Sequence, residues 1–317
     1  MKRICCVSRD RECSDCLLHT GCPYAYLFET IRFDGVARFT TIHDIPRPFI
    51  ISPLPSDDPA SLKFDFTLIG DAVEAFPYVL LTFLELEKDG IGSGRERFSL
   101  FSVDSLTPHG AVPIYRKSGE GIQGERYLFT HLDLLHRADE MNSDKVKVKL
   151  LSPLRAKFKG EFVSDLMFHH LIRAILRRVS LICAYHCGFK LDLDFTALFS
   201  MAERVKRRSS QLRWVDMERF STRQRRRLKI GGVMGEVEFE GNIAPFRVIL
   251  AAGERLHAGK GCVMGLGKLE VVDDMEGSSD GDKGGVKRGS DRTDEVLPGR
   301  KARREAPEPQ RPEVCCR

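Results

Sequence analysis

The chain has 317 residues, 42% hydrophobic and 30% charged, with a formal net charge of +5. That length leaves room for about two ordinary domains, and the composition excludes a wholly disordered chain. No run reaches the roughly 18 apolar residues of a membrane span and no signal-peptide pattern opens the chain. Its ten cysteines are therefore expected to stay reduced in a cytoplasm.

The first segment is rich in cysteine. "CSDCLLHTGC" places Cys13, Cys16, His19 and Cys22 within ten residues, just after Cys5 and Cys6. A Cys-x-x-Cys can hold zinc from one side, but a closed site needs a second pair, and none exists. Cys13, Cys16 and Cys22 stand as zinc candidates against the plainer alternative of reduced thiols; no cofactor is expected. His43 follows in "TTIHDIPRP", a polar turn leading into a strand.

"LKFDFTLIG" (Leu62 to Gly70) alternates as a strand, with Leu62, Phe64, Phe66 and Leu68 on one face. "DAVEAFPYVLLTFLELEK" has helical length, Asp71 as a candidate N-cap, and Pro77 marking a kink or a late start. A glycine loop, Asp89 to Gly94, leads to a second alternating run, "RFSLFSV" (Arg97 to Val103). Strand, helix, glycine loop and strand make one half of a split β-α-β unit. His131 and His136 lie in "THLDLLHRAD", where a helix surface is expected.

The order then repeats. "KVKVKLLSP" alternates through Val146, Val148 and Leu150, and the segment from Glu161 to His186 carries the strongest helical spacing, with Gly188 as its stop. His169 and His170 lie on that helix. "GGVMGEVEFEGNIAPF" reads as a hairpin turning near Gly241–Asn242, and "APFRVILAAGE" as a short helix. The glycine loop of "AGERLHAGKGCVMGLGKLEVV" then leads to a last strand. The residues thus describe an α+β chain of two tandem β-α-β-β-α-β units. From residue 273 onward, apolar periodicity disappears and a disordered tail is expected.

Two stretches bear on function. From Glu203 to Lys229 there are eleven Lys or Arg against three acids, with Trp214 and Phe220 interleaved. A solvated helix face and a nucleic-acid contact both fit this pattern. The glycine loop fails as a P-loop: the spacing from Gly253 to Gly259–Lys260 is one residue too long, and Gly261 stands where Ser or Thr would hold magnesium. It also runs helix to strand, the reverse of the P-loop order. A histidine can take the proton of a ribose 2′-hydroxyl and a lysine can stabilise the phosphate charge, without metal. His43, His257 and Lys260 are the candidates for that chemistry.

Taken together, "CSDCLLHTGCPYAYLFET", "IPRPFIISP", "YHCG", "WVDMERFSTRQRRRLKIGGVMGEVEFEG" and "PFRVILAAGERLHAGKGCVMGLGKLEV" resemble the CRISPR-associated repeat-processing endoribonucleases of the RAMP superfamily, over about residues 4 to 272. The resemblance implies two tandem ferredoxin-like (RRM-like) domains, 1–144 and 145–272, followed by the tail 273–317. By comparison with the family, the first domain is expected to lack its opening strand. The implied activity is metal-independent cleavage of CRISPR precursor transcripts, leaving 2′,3′-cyclic phosphate and 5′-hydroxyl ends. The alternative is a non-catalytic RNA-binding subunit of an effector complex, or a truncated inactive relative. Gly259, Gly261, Gly265, Gly267 and Lys268, with Arg219, Arg223, Arg225 and Arg226, would hold repeat RNA. Effector-complex proteins and a second copy of the chain are further partners to test; a membrane is not.

Overall fold

The computed structural model describes residues 1–7, 11–30, 45–92, 94–119, 121–221 and 225–272. His43, Arg223 and the tail lie outside the described residues. The chain opens with a short helix α1 (Lys2–Cys5), two 3-10 turns and a π-helical turn, Ala25–Glu29. Strands β1 (Phe49–Leu54) and β2 (Lys63–Leu68) pair antiparallel, Phe49 opposite Leu68. Helix α2 (Phe76–Asp89) follows a 3-10 turn over Gly70–Ala75. Pro77 sits in its first turn, where a missing N–H costs nothing, so it marks a late start rather than a kink. Asp71 makes no cap; Ala75 holds that position. The pair β3 (Ser102–Thr107) and β4 (Gly110–Arg116) comes next, then helix α3 (His131–Glu140), capped by Thr130 and Asp133. The expected strand from Arg97 thus begins later. The turn joining Thr107 to Gly110 fixes the register of this hairpin and moves pairing toward the turn.

The second half is built on β5 (Lys145–Leu154). A small hairpin follows, β6 (Lys157–Phe158) and β7 (Glu161–Phe162). Both residues of its turn, Lys159 and Gly160, have positive φ, the backbone of a two-residue type I′ connection. This hairpin takes up residues expected to open the long helix, so α4 runs only from Phe168 to His186. It is followed by α5 (Phe195–Arg204), β8 (Lys206–Val215), β9 (Glu218–Ser221), β10 (Arg226–Lys229), β11 (Gly232–Glu240), α6 (Arg247–Leu256) and β12 (Leu269–Val272). The sheet is antiparallel, in the order β12-β5-β11-β8. Its connectivity is β-α-β-β-α-β, with α4 and α6 in one core against one face.

Alternation explains which face is covered. Val146, Val148 and Leu150 are buried beside Val237, Phe239, Leu269 and Val271, and α4 adds Phe168, Leu171, Ile172, Ile175 and Leu176. Each such side chain contributes about 1.5–3 kcal/mol on burial. The basic stretch forms strands β8 to β10 rather than a helix, and β11 pairs back onto β8. Gly241 therefore ends a strand instead of turning a hairpin: its amide donates to Asp144 O at 2.8 Å as the chain enters α6. A smaller core forms in the first half around Leu27, Phe49, Ala72, Ala75 and Val79, and Val263 of the glycine loop packs against it. No helix among the described residues is long and apolar enough to cross a membrane.

Candidate nucleic-acid interface

The glycine loop is shaped from inside the protein. Gly259, Gly261, Gly265 and Gly267 all have positive φ, a region glycine enters without penalty. A β-carbon on Gly267 would lie 1.8 Å from Ala258 O, and one on Gly265 would lie 2.9 Å from Ile51 O on β1. Both glycines are buried. Their bare backbone serves the closure of the loop and its seat on β1. Lys268 is likewise engaged, its Nζ 3.4 Å from Asp65 Oδ2 on β2. Lys260 differs: its side chain is exposed while its amide donates to Arg155 O at 3.0 Å.

His257 closes α6 with φ +60 and is only 4% exposed. Its Nδ1 lies 3.2 Å from Leu266 O. Burial pushes the imidazole down to about 4, against the carbonyl contact, and Arg178 and Lys268 push it further. The ring is thus neutral and shut away from solvent, placed to hold the loop. Arg178, buried in α4, donates through Nε to Leu256 O. Nearby, the buried His186 lies 2.6 Å from Pro46 O through Nε2 and 3.1 Å from the Tyr26 hydroxyl through Nδ1. Burial also lowers the His186 pKa.

The other candidates are dispersed. Arg219, Arg225 and Arg226 are exposed on and beside β9 and β10, with Phe220 64% exposed between them. Trp214 donates through its indole to Asp216 at 2.9 Å. Cys13, Cys16 and Cys22 are free thiols spread over two 3-10 turns. Partial burial, then the Glu29 carboxylate, pushes the Cys13 thiol up. Among the described residues, no group of three or more His, Cys, Asp or Glu converges to hold a metal, so the three cysteines are not brought together as zinc ligands.

Residues 148–269, from β5 through the glycine loop to β12, match the family model of the CRISPR-associated endoribonuclease Cas6. That segment is similar to the Cas6 endoribonucleases. A second family model, described as an N-terminal domain, matches residues 1–127. A Cas6 protein solved as its product complex shares the fold with a TM-score of 0.52 and 16% identity, covering 73% of this chain and 83% of that one. Thermus thermophilus Cas6 gives a TM-score of 0.46 and 16% identity over 71% of this chain and 79% of its own. No curated protein matches the sequence significantly.

Within the second half, charge is distributed unevenly. The uncovered face of the sheet is laced with ion pairs: Lys147 and Lys149 reach Glu236 at 2.8 and 3.7 Å, and Arg208 reaches Glu240 at 3.3 Å. Lys260 and Lys229, at the end of the sheet beside the glycine loop, pair with no carboxylate among the described residues. A polyanion therefore finds uncompensated charge at the loop end of the second half and neutralised charge on the sheet. Sequence inspection misses Ser152, Arg155 and Arg178, because each acts through a segment far away in the chain. A visible hint is the Gly231–Gly232 pair: the bare backbone of Gly231 clears the end of β8 at Val215, and that of Gly232 clears the end of β5 at Leu154.

Proposed function

We propose that the chain binds CRISPR repeat RNA and cuts precursor transcripts into guide RNAs, without metal, leaving 2′,3′-cyclic phosphate and 5′-hydroxyl ends. In that reaction a base takes the proton of a ribose 2′-hydroxyl and its oxygen bonds to phosphorus. The bond from phosphorus to the 5′-oxygen breaks, and that oxygen is protonated as it leaves. The similarity of residues 148–269 to the Cas6 endoribonucleases supports the substrate class, and the product complex recorded for a fold relative is in keeping with it.

The observation that carries the proposal is Lys260, an exposed cation without a carboxylate partner among the described residues, on a loop seated against both halves of the molecule. It would stabilise charge on the phosphate, with Arg219, Arg225 and Arg226 steering the backbone. His43 would be the base and His257 the residue that holds the loop. The β-α-β-β-α-β connectivity of the second half supports a ferredoxin-like domain over 145–272, and we extend that architecture to 1–144. The decisive experiment is incubation of labelled repeat RNA with the full chain in EDTA. A single cut with cyclic-phosphate ends is expected; tight binding with no cut would instead make this an RNA-binding subunit.

A further inference from the structure

Arg155, the residue after β5, joins four separate segments. Its carbonyl oxygen accepts the Lys260 amide at 3.0 Å, and a β-carbon on Gly259 would lie 2.7 Å from that same oxygen. Its stem passes over Gly232, where a β-carbon would meet Cγ at 3.0 Å. Its Nη1 donates to Lys229 O at 2.9 Å. Its guanidinium lies 4.5 Å from the ring centre of Phe162, on β7.

Lys157, on β6, brings a second cation to the same ring, with Nζ 4.9 Å from its centre. Phe162 remains 38% exposed. The hairpin thus collects Arg155 and Lys157 on one aromatic side chain, beside Lys229 and Lys260. Among the described residues none of these four cations pairs with a carboxylate, and Glu161 on the same hairpin pairs with none of them. The two cations gathered on one ring repel one another, and an aromatic face offsets only part of that cost. A polyanion offsets the rest.

We propose that the hairpin from Arg155 to Phe162 is an RNA-contact element continuous with the glycine loop, in which Arg155 and Lys157 neutralise backbone phosphates and Phe162 positions both. The proposal rests on the RNA-binding function given above. Two cations already occupy the Phe162 ring, so the hairpin reads phosphates rather than stacking on bases, and its contribution is independent of nucleotide sequence.

The test is fluorescence anisotropy with the full chain, titrated against labelled repeat RNA and a scrambled RNA of equal length at several KCl concentrations. Lys157→Gln changes an exposed side chain with no hydrogen bond, so folding is preserved. It is expected to weaken both RNAs equally, by roughly three- to tenfold, and to lower the salt slope by about one. Phe162→Leu should act in the same direction, and Lys149→Gln, which removes an already paired lysine, should leave the slope unchanged. An unchanged slope in both Lys157→Gln and Phe162→Leu, with wild type still binding, overturns the hairpin's role alone. A loss confined to the repeat RNA overturns the phosphate-reading role in favour of base readout. A wild-type chain that binds neither RNA overturns the RNA-binding function itself.

Discussion

The hydroxyl of Ser152 donates to the carbonyl oxygen of Gly265 at 2.7 Å and accepts the amide of Lys268 at 2.8 Å. One side chain at the end of β5 therefore fastens the far side of the glycine loop. Ser152 is half-buried, and both hydrogen bonds lie where the loop covers the end of β5. Ser152→Ala leaves the Lys268 amide and the Gly265 carbonyl without that partner, at a cost of about 1–3 kcal/mol. Urea denaturation should show a lower midpoint with an unchanged m-value. An unaltered midpoint would mean the loop closes without this fastening.

Substitution of the buried glycines separates packing from RNA contact. Gly267→Ala would place a methyl 1.8 Å from Ala258 O at a backbone with φ +70. Nothing flexible can yield there, so destabilisation well beyond the roughly 1 kcal/mol of an ordinary strained alanine is expected. Gly121→Ala has positive φ but open space around it, and should show only the strain. Comparing the melting temperatures of the two variants checks this, and a Gly267→Ala no less stable than Gly121→Ala would refute the packing explanation.

Acid should act through His257. Its folded pKa, about 4, lies below the ordinary 6.5, so the unfolded chain takes up a proton that the native ring refuses. The stabilisation is fully present above pH 6.5 and is lost as pH falls from there toward 4. The displacement corresponds to about 3 kcal/mol. Burial lowers His186, His169 and His170 in the same direction, so they steepen the same window. Urea midpoints at pH 7.5 and 5 should differ less for His257→Asn than for wild type. Equal differences would place the acid sensitivity elsewhere.

Periodicity made much of the second half legible. Val146, Val148 and Leu150 could only alternate as a strand, and Leu171, Ile175 and Ile182 could only line one helix face. The start of α4 was hidden because Lys159–Gly160 is an unusual dipeptide for a type I′ turn, which favours Asn or Asp before glycine. The strand β8 was hidden because both of its faces are largely polar, which removes the alternation that marks a half-buried strand. The glycine loop was legible as a loop, but the reason for its glycines was not. Gly265 meets Ile51, and Gly259 meets Arg155, across more than a hundred residues of chain. His257 looked like a reagent beside a lysine until its burial was known.

The two candidate histidines predict opposite phenotypes. A general base must come within about 2.6–3.2 Å of the proton it removes, and the His257 ring faces Leu266 O inside the protein. His257→Ala should therefore lower the melting temperature, while single-turnover cleavage, measured well below both melts, stays near the wild-type rate. His43→Ala should reduce that rate by about 10²–10⁴-fold, the usual contribution of general acid–base catalysis, and keep RNA affinity within about tenfold. A His43→Ala chain that cuts at the wild-type rate would move the base elsewhere. Tyr26, whose hydroxyl lies 3.1 Å from Nδ1 of His186, would then be the next side chain to replace, because Tyr26→Phe removes a proton-transfer group while keeping the ring that packs in the first half.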